Sequence, residues 1–162
     1  MKKLFTFLFA TLFGLQLMAQ NDGGLPKVYN EEINAIEQIE QALEQARAEG
    51  KYVVCQVGGN WCPWCLRFAD FITKTESIAN VIEKNFVYIH LNTSKKNKNE
   101  EMLQRLENPG RFGYPVFVIL DQEGRRIHTQ NSSYLEEGKG YNEKKVLDFF
   151  LNWTPEAVKS LK

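Results

Sequence analysis

Three short apolar runs, each followed or preceded by a stretch with helical periodicity, constrain this chain more than any other feature. "KYVVCQV" ends at Gly58-Gly59 and suits a buried parallel strand. "FVYIHL" (86–91) reads as a second strand and "YPVFVIL" (114–120) as a third. Asp121-Gln122-Glu123-Gly124 is a turn signal, so "RRIHTQ" is expected to return as a fourth, antiparallel strand. Between the strands, apolar residues recur at three- and four-residue steps. Ile33, Ile36, Ile39, Leu43 and Ala46 predict a first helix over about 31–48, with Asn30 at its start and Gly50 at its end. Phe68, Phe71 and Ile72 give a face to a helix from about Cys62 to Thr73. Ile78, Val81 and Ile82 mark a further turn over about 76–84. "EEMLQRLEN" is a helix stopped by Pro109-Gly110. Asn142 caps a last helix striped by Val146, Phe149, Phe150 and Trp153, and Thr154-Pro155 can cap one more turn. Helices alternating with strands predict an α/β fold, a central mixed β-sheet with helices on both faces.

A chain of 162 residues suits one such domain, here placed at 31–162. Residues 1–19 read differently. Lys2 and Lys3 precede an apolar run from Leu4 to Met18, the pattern of a secretory signal cleaved after Ala19. The run is shorter than the ~20 residues of a membrane span, so no stable membrane insertion is expected after cleavage. Residues 20–30, "QNDGGLPKVYN", are polar and hold two glycines and a proline, which predicts a flexible leader. The expected location is periplasmic or secreted. Twenty basic and twenty acidic side chains balance over the whole chain, so nothing in the charge points to a nucleic acid or an anionic surface.

Export changes how the cysteines read, because an oxidising compartment permits disulfides. Cys62 and Cys65 lie two residues apart in "GGNWCPWCLRF", and Cys55 is left over. A zinc site would need two further ligands, and His90 and His128 are not at ligand spacing. An inert disulfide is the other alternative. The position at a strand-to-helix junction favours a redox pair. The first N–H groups of a helix lack internal partners and carry partial positive charge, so a thiolate at Cys62 is stabilised. Cys65, one turn further in, is shielded and placed to attack a mixed disulfide formed at Cys62. Cys55, inside an apolar strand, reads as a buried inert thiol. His90 reads as a satisfied structural residue, and Gly58 and Gly59 as room for close packing. Trp64, at the strand–helix turn, is favoured as a platform for substrate. Pro115 opens a strand, where a cis bond after Tyr114 would expose the Tyr114 backbone to an extended substrate segment.

"WCPWC" after the first core strand, "FGYPVFVIL" about fifty residues on, and "GKGYNEKKVLDFF" at the closing helix resemble the thioredoxin superfamily. The "NWCPWC" form behind a secretory signal is most similar to exported bacterial thioredoxin-like proteins. The resemblance implies a thiol–disulfide oxidoreductase that exchanges disulfides with protein substrates and a redox partner protein. It implies Cys62 as the attacking cysteine, Cys65 as the resolving one and Pro115 as a cis-proline. Trp61, Pro63, Trp64, Tyr114 and Pro115 are the expected substrate-binding residues; no metal or organic cofactor is implied. Two positions depart from the pattern. Gln56 stands where thioredoxins carry a buried acid, and Trp64 stands where strong oxidases carry histidine. Neither a general reductase nor an extreme oxidant is expected. The competing reading is a binding module, or a client-specific redox chaperone, with little general turnover.

Overall fold

The computed structural model describes residues 24–159. The expected signal segment (1–19) and the first residues of the expected leader lie outside the described residues.

The described chain runs α1 (Ala35–Glu49), β1 (Tyr52–Gly58), α2 (Pro63–Lys74), α3 (Glu76–Asn85), β2 (Phe86–Asn92), α4 (Glu100–Arg105), β3 (Val116–Leu120), β4 (Arg126–Asn131), β5 (Glu136–Glu137), β6 (Gly140–Tyr141), α5 (Glu143–Asn152) and α6 (Pro155–Lys159). Four strands form the central sheet in the order β2-β1-β3-β4. β1 and β2 are parallel, and β3 is antiparallel to both β1 and β4. The mixed sheet matches the sequence expectation. Only β1 and β2 pair in parallel, however, because β3 enters the sheet running against β1. β5 and β6 form a separate two-stranded ribbon that no apolar run announces.

Side chains alternate across β1, and the two faces carry different layers. Val53, Cys55 and Val57 pack with Ile39, Leu43 and Ala46 of α1 and with Met102 of α4. Val54 faces the other way, into a layer with Phe68 and Ile72 of α2, Phe117 and Ile119 of β3, and Phe149 and Phe150 of α5. Helices therefore cover both faces. Phe68, Phe117 and Phe150 are fully buried, each stabilising the fold by ~1.5–3 kcal/mol relative to exposure.

The helix ends follow local chemistry. α1 starts at Asn34 rather than Asn30: the Asn34 side chain accepts from the Ile36 N–H at 2.9 Å, while Asn30 accepts from the Glu32 N–H in a preceding turn. The first turn expected at 31–34 is thus not helical, and Ile33 is 37% exposed rather than part of the buried stripe. Gly50 ends α1 in the left-handed conformation, φ 71°. Asn142 caps α5 as expected, accepting from the Lys145 N–H at 2.9 Å. Among the described residues no helix is long and apolar enough to cross a membrane.

The leader expectation needs a correction at its C-terminal end. Tyr29 is buried, and Asn60 holds its main chain from both sides, accepting from the Tyr29 N–H at 3.1 Å and donating to the Tyr29 carbonyl at 2.7 Å. An aromatic ring with these partners is fixed to the domain.

Candidate active site

β1 delivers the chain to the start of α2, and Cys62 occupies the cap position with extended backbone (φ −102°, ψ 103°). Its Sγ accepts from the Cys65 N–H at 3.2 Å, a backbone donor shared with the Cys62 carbonyl at 3.1 Å. Pro63 follows at the first helical position, where a missing N–H costs nothing. Cys62 and Cys65 are joined in a disulfide, with Cα atoms 5.2 Å apart. Cys62 is 5% exposed and Cys65 0%, so both are buried and Cys62 is the less enclosed of the two.

The sheet register brings the second component to the same place. Val57 pairs with Val116, so Pro115 stands beside the end of β1. The Tyr114–Pro115 bond is cis. Pro115 is buried, and Tyr114 packs, with Trp64, against the two cysteines. Trp61 is 53% exposed; its indole N–H donates to the Thr93 carbonyl at 3.0 Å and its ring meets Tyr114 edge-on at 5.4 Å. Trp64 is half-buried, edge-on to Tyr141 at 5.6 Å, with the Arg67 guanidinium 5.2 Å over its ring. The indole that faces solvent most fully is therefore that of Trp61. Pro63 is exposed beside it. All seven residues singled out from the sequence gather at one end of the sheet.

Gly58 and Gly59 make room for this packing. A Cβ on Gly58 would overlap Cys65 Sγ and come within 2.9 Å of the Tyr29 hydroxyl; one on Gly59 would overlap the Trp61 indole nitrogen.

Beneath the disulfide lies a polar group that sequence reasoning did not assemble. Gln56, fully buried, donates to the Tyr29 hydroxyl at 2.6 Å and to the Cys65 carbonyl at 2.9 Å. It accepts from the Tyr88 hydroxyl at 2.6 Å. Burial raises both tyrosine pKa values, so both stay protonated. Tyr29 was hidden within a polar stretch. Its neighbour Val28 was the one local sign of docking, and residues 56 and 88 are joined to it only by the fold.

Cys55 is free and buried among the α1-facing core, its pKa pushed up to about 12 by desolvation, as an inert thiol should be. His90 departs from expectation. Its ring sits edge-on to Tyr29 and Tyr88 at 5.3 Å from each, but Nε2 is buried without a hydrogen-bond partner among the described residues. Aromatic neighbours offer the ring packing and no acceptor, and burial holds its pKa down to about 4. His128, on β4, stacks on Trp153 at 4.2 Å.

Comparison with solved structures finds the same fold. A disulphide isomerase from Xylella fastidiosa Temecula1 superposes with TM-score 0.69 at 23% identity, covering 79% of this chain and 97% of that one. A structure named DsbH oxidoreductase gives TM-score 0.50 at 19% identity, covering 90% and 94%. The C-terminal domain of Neisseria meningitidis DsbD, in its oxidised form, gives 0.50 at 14% identity, covering 77% and 97%. At these identities the likeness is one of fold. No curated protein sequence matches the chain. Residues 34–122 match the family described as thioredoxin-like, a span from the cap of α1 to the turn after β3. A match over more than half of its length, on a sheet of the same fold, makes this chain a member of the thioredoxin-like family.

Proposed function

We propose that this chain is an exported thiol–disulfide oxidoreductase acting on protein substrates. The observation that carries the reading is the asymmetric placement of the two sulfurs. Cys62 Sγ sits at a helix start and accepts a backbone N–H, and Cys62 is the less buried of the two cysteines. Cys65 is enclosed.

In the reducing direction the Cys62 thiolate attacks a substrate disulfide, forming a mixed disulfide and releasing one substrate thiolate. Cys65 then attacks Cys62 Sγ, the Cys62–Cys65 bond forms, and the second substrate sulfur leaves as a thiol. The oxidising direction is the reverse. A redox partner protein of the same dithiol–disulfide chemistry restores the starting state. Tyr114 and the cis-Pro115 offer backbone for an extended substrate strand, and Trp61, Pro63 and Trp64 form the apolar rim around Cys62. Residues 1–19 act as the export signal, which places the site where disulfides are exchanged. The test is turnover of insulin disulfides by purified protein with a thiol reductant. Catalysis above the uncatalysed rate, lost in Cys62→Ser, supports the reading. Binding of unfolded clients without turnover supports a holding module instead.

A further inference from the structure

We propose that the Tyr29 hydroxyl is a hydrogen-bond donor to the Cys65 sulfur, stabilising its thiolate during resolution; the proposal rests on the oxidoreductase reading above. A carbonyl oxygen accepts only from the nitrogen of a side-chain amide, so the Cys65 carbonyl fixes which way Gln56 faces. Its oxygen then faces Tyr88, and its nitrogen spends one hydrogen on Cys65 and the other on the Tyr29 oxygen. Tyr29 therefore accepts from Gln56 and keeps its own hydrogen to give. A Cβ on Gly58 would lie 2.9 Å from the Tyr29 hydroxyl and 2.4 Å from Cys65 Sγ, so the two groups border the same small space that the glycine leaves. Tyr29 also belongs to one apolar cluster with Cys62 and Cys65.

The hydrogen-bond partners of Gln56 are two tyrosine hydroxyls and a main-chain carbonyl, all uncharged. The titratable groups around the network are Tyr88 and His90 from β2, Tyr141 from β6, Cys62 itself and Cys55 from β1, with Asp70 of α2 and Glu83 of α3 lining the cavity that Tyr88 and His90 also border. Burial keeps the tyrosines protonated and His90 neutral at pH 7. Arg67 lies over Trp64. In the mixed disulfide, Cys65 gives its thiol proton to solvent and its thiolate attacks Cys62 Sγ. The Cys62–Cys65 bond forms, the bond to the substrate sulfur breaks, and the departing thiolate takes up a proton. Tyr29 keeps its own proton throughout. Gln56, where thioredoxins place an acid, thus orients a neutral donor in place of supplying a base.

The experiment uses 5,5′-dithiobis(2-nitrobenzoate) on reduced protein in stopped flow between pH 5 and 9. The first thionitrobenzoate released reports attack by Cys62, and the second reports resolution by Cys65. Tyr29→Phe keeps the ring and removes the donor. It is expected to leave the first phase within about twofold and to slow the second about tenfold at pH 7, the effect of losing one hydrogen bond to a charged group. The gap should close at high pH, where Cys65 ionises without help. Equal second phases in both proteins overturn the proposal, as does a slowing that is the same at every pH, which a packing defect would give. Release of only one equivalent by wild type defeats the oxidoreductase reading itself, and this proposal with it. If Tyr29→Phe does not fold, wild-type protein labelled at tyrosine 13Cζ decides. The Tyr29 resonance should move as Cys65 titrates while that of exposed Tyr134 stays still; a Tyr29 resonance indifferent to that titration overturns the proposal.

Discussion

The Gln56 side-chain amide donates to the main-chain carbonyl of Cys65 at 2.9 Å, tying the middle of β1 to the first turns of α2. Gln56 is 0% exposed and makes two donated bonds and one accepted. Gln56→Glu would set an oxygen against the Cys65 carbonyl, remove both donated bonds and bury a carboxyl. A stability loss on the order of 3 kcal/mol at pH 7 is expected, read as a lower urea midpoint with unchanged slope. An unchanged midpoint would mean that the amide bonds contribute nothing.

The cysteine pair, its strand and its helix were legible because they are local: a valine run, two glycines, and a cap position followed by proline. Both faces of the sheet were legible for the same reason, since α1, α2 and α5 each show a stripe. What the chain concealed depends on contacts distant in sequence. Tyr29 and Gln56 meet across 27 residues, and Tyr88 and Gln56 across 32. The choice of Asn34 over Asn30 as cap turns on which isoleucines find the core, and Ile33 does not. The β5–β6 ribbon is two residues a side, too short to leave a pattern.

The helix-start position of Cys62 and the full burial of Cys65 predict unequal reactivity. In reduced protein, iodoacetamide should modify Cys62 well before Cys65, read by peptide mass mapping. Cys62→Ser should abolish exchange, and Cys65→Ser should accumulate a mixed disulfide at Cys62. Equal alkylation of both thiols would contradict the assignment.

Cys55 is the control cysteine. Its thiol is fully buried between Val53 and Val57 on the α1 face, with its pKa raised to about 12 by desolvation, so it holds no thiolate at neutral pH. Cys55→Ser should keep most turnover and lose about 1–3 kcal/mol of stability if the new hydroxyl finds no partner. Lost turnover at an unchanged melting temperature would place Cys55 in the chemistry.

His90 makes stability depend on pH. Burial lowers its folded pKa from 6.5 to about 4. Above pH 6.5 it is neutral in both states and contributes no pH dependence. Between 6.5 and 4 the unfolded chain binds a proton that the folded chain refuses, so stability falls as pH falls; below about 4 the penalty is complete. Urea unfolding of wild type and His90→Phe at pH 7, 5.5 and 4.5 separates this group from the carboxylates. Wild type should lose more stability than the variant over that range, and parallel losses would contradict it.

The redox poise of the pair turns on Trp64. Its ring packs against Tyr141 and under Arg67, and Cys62 Sγ accepts from the Cys65 N–H. Thiolate stabilisation at Cys62 then comes mainly from the helix start. The wild-type Cys62 pKa should fall below about 8.5 but stay well above the ~3.5 of the strongest oxidase in this superfamily. Trp64→His gives up edge-on contact with Tyr141 and adds a donor near Cys62. It should lower the Cys62 pKa and make the protein more oxidising, because whatever stabilises the reduced form raises the potential, by about 30 mV for each ~1.4 kcal/mol. Thiolate absorbance titration gives the pKa, and equilibration with glutathione gives the potential. A wild-type pKa already near the strong-oxidase value, or a potential that moves in the reducing direction on Trp64→His, would overturn this account of the site.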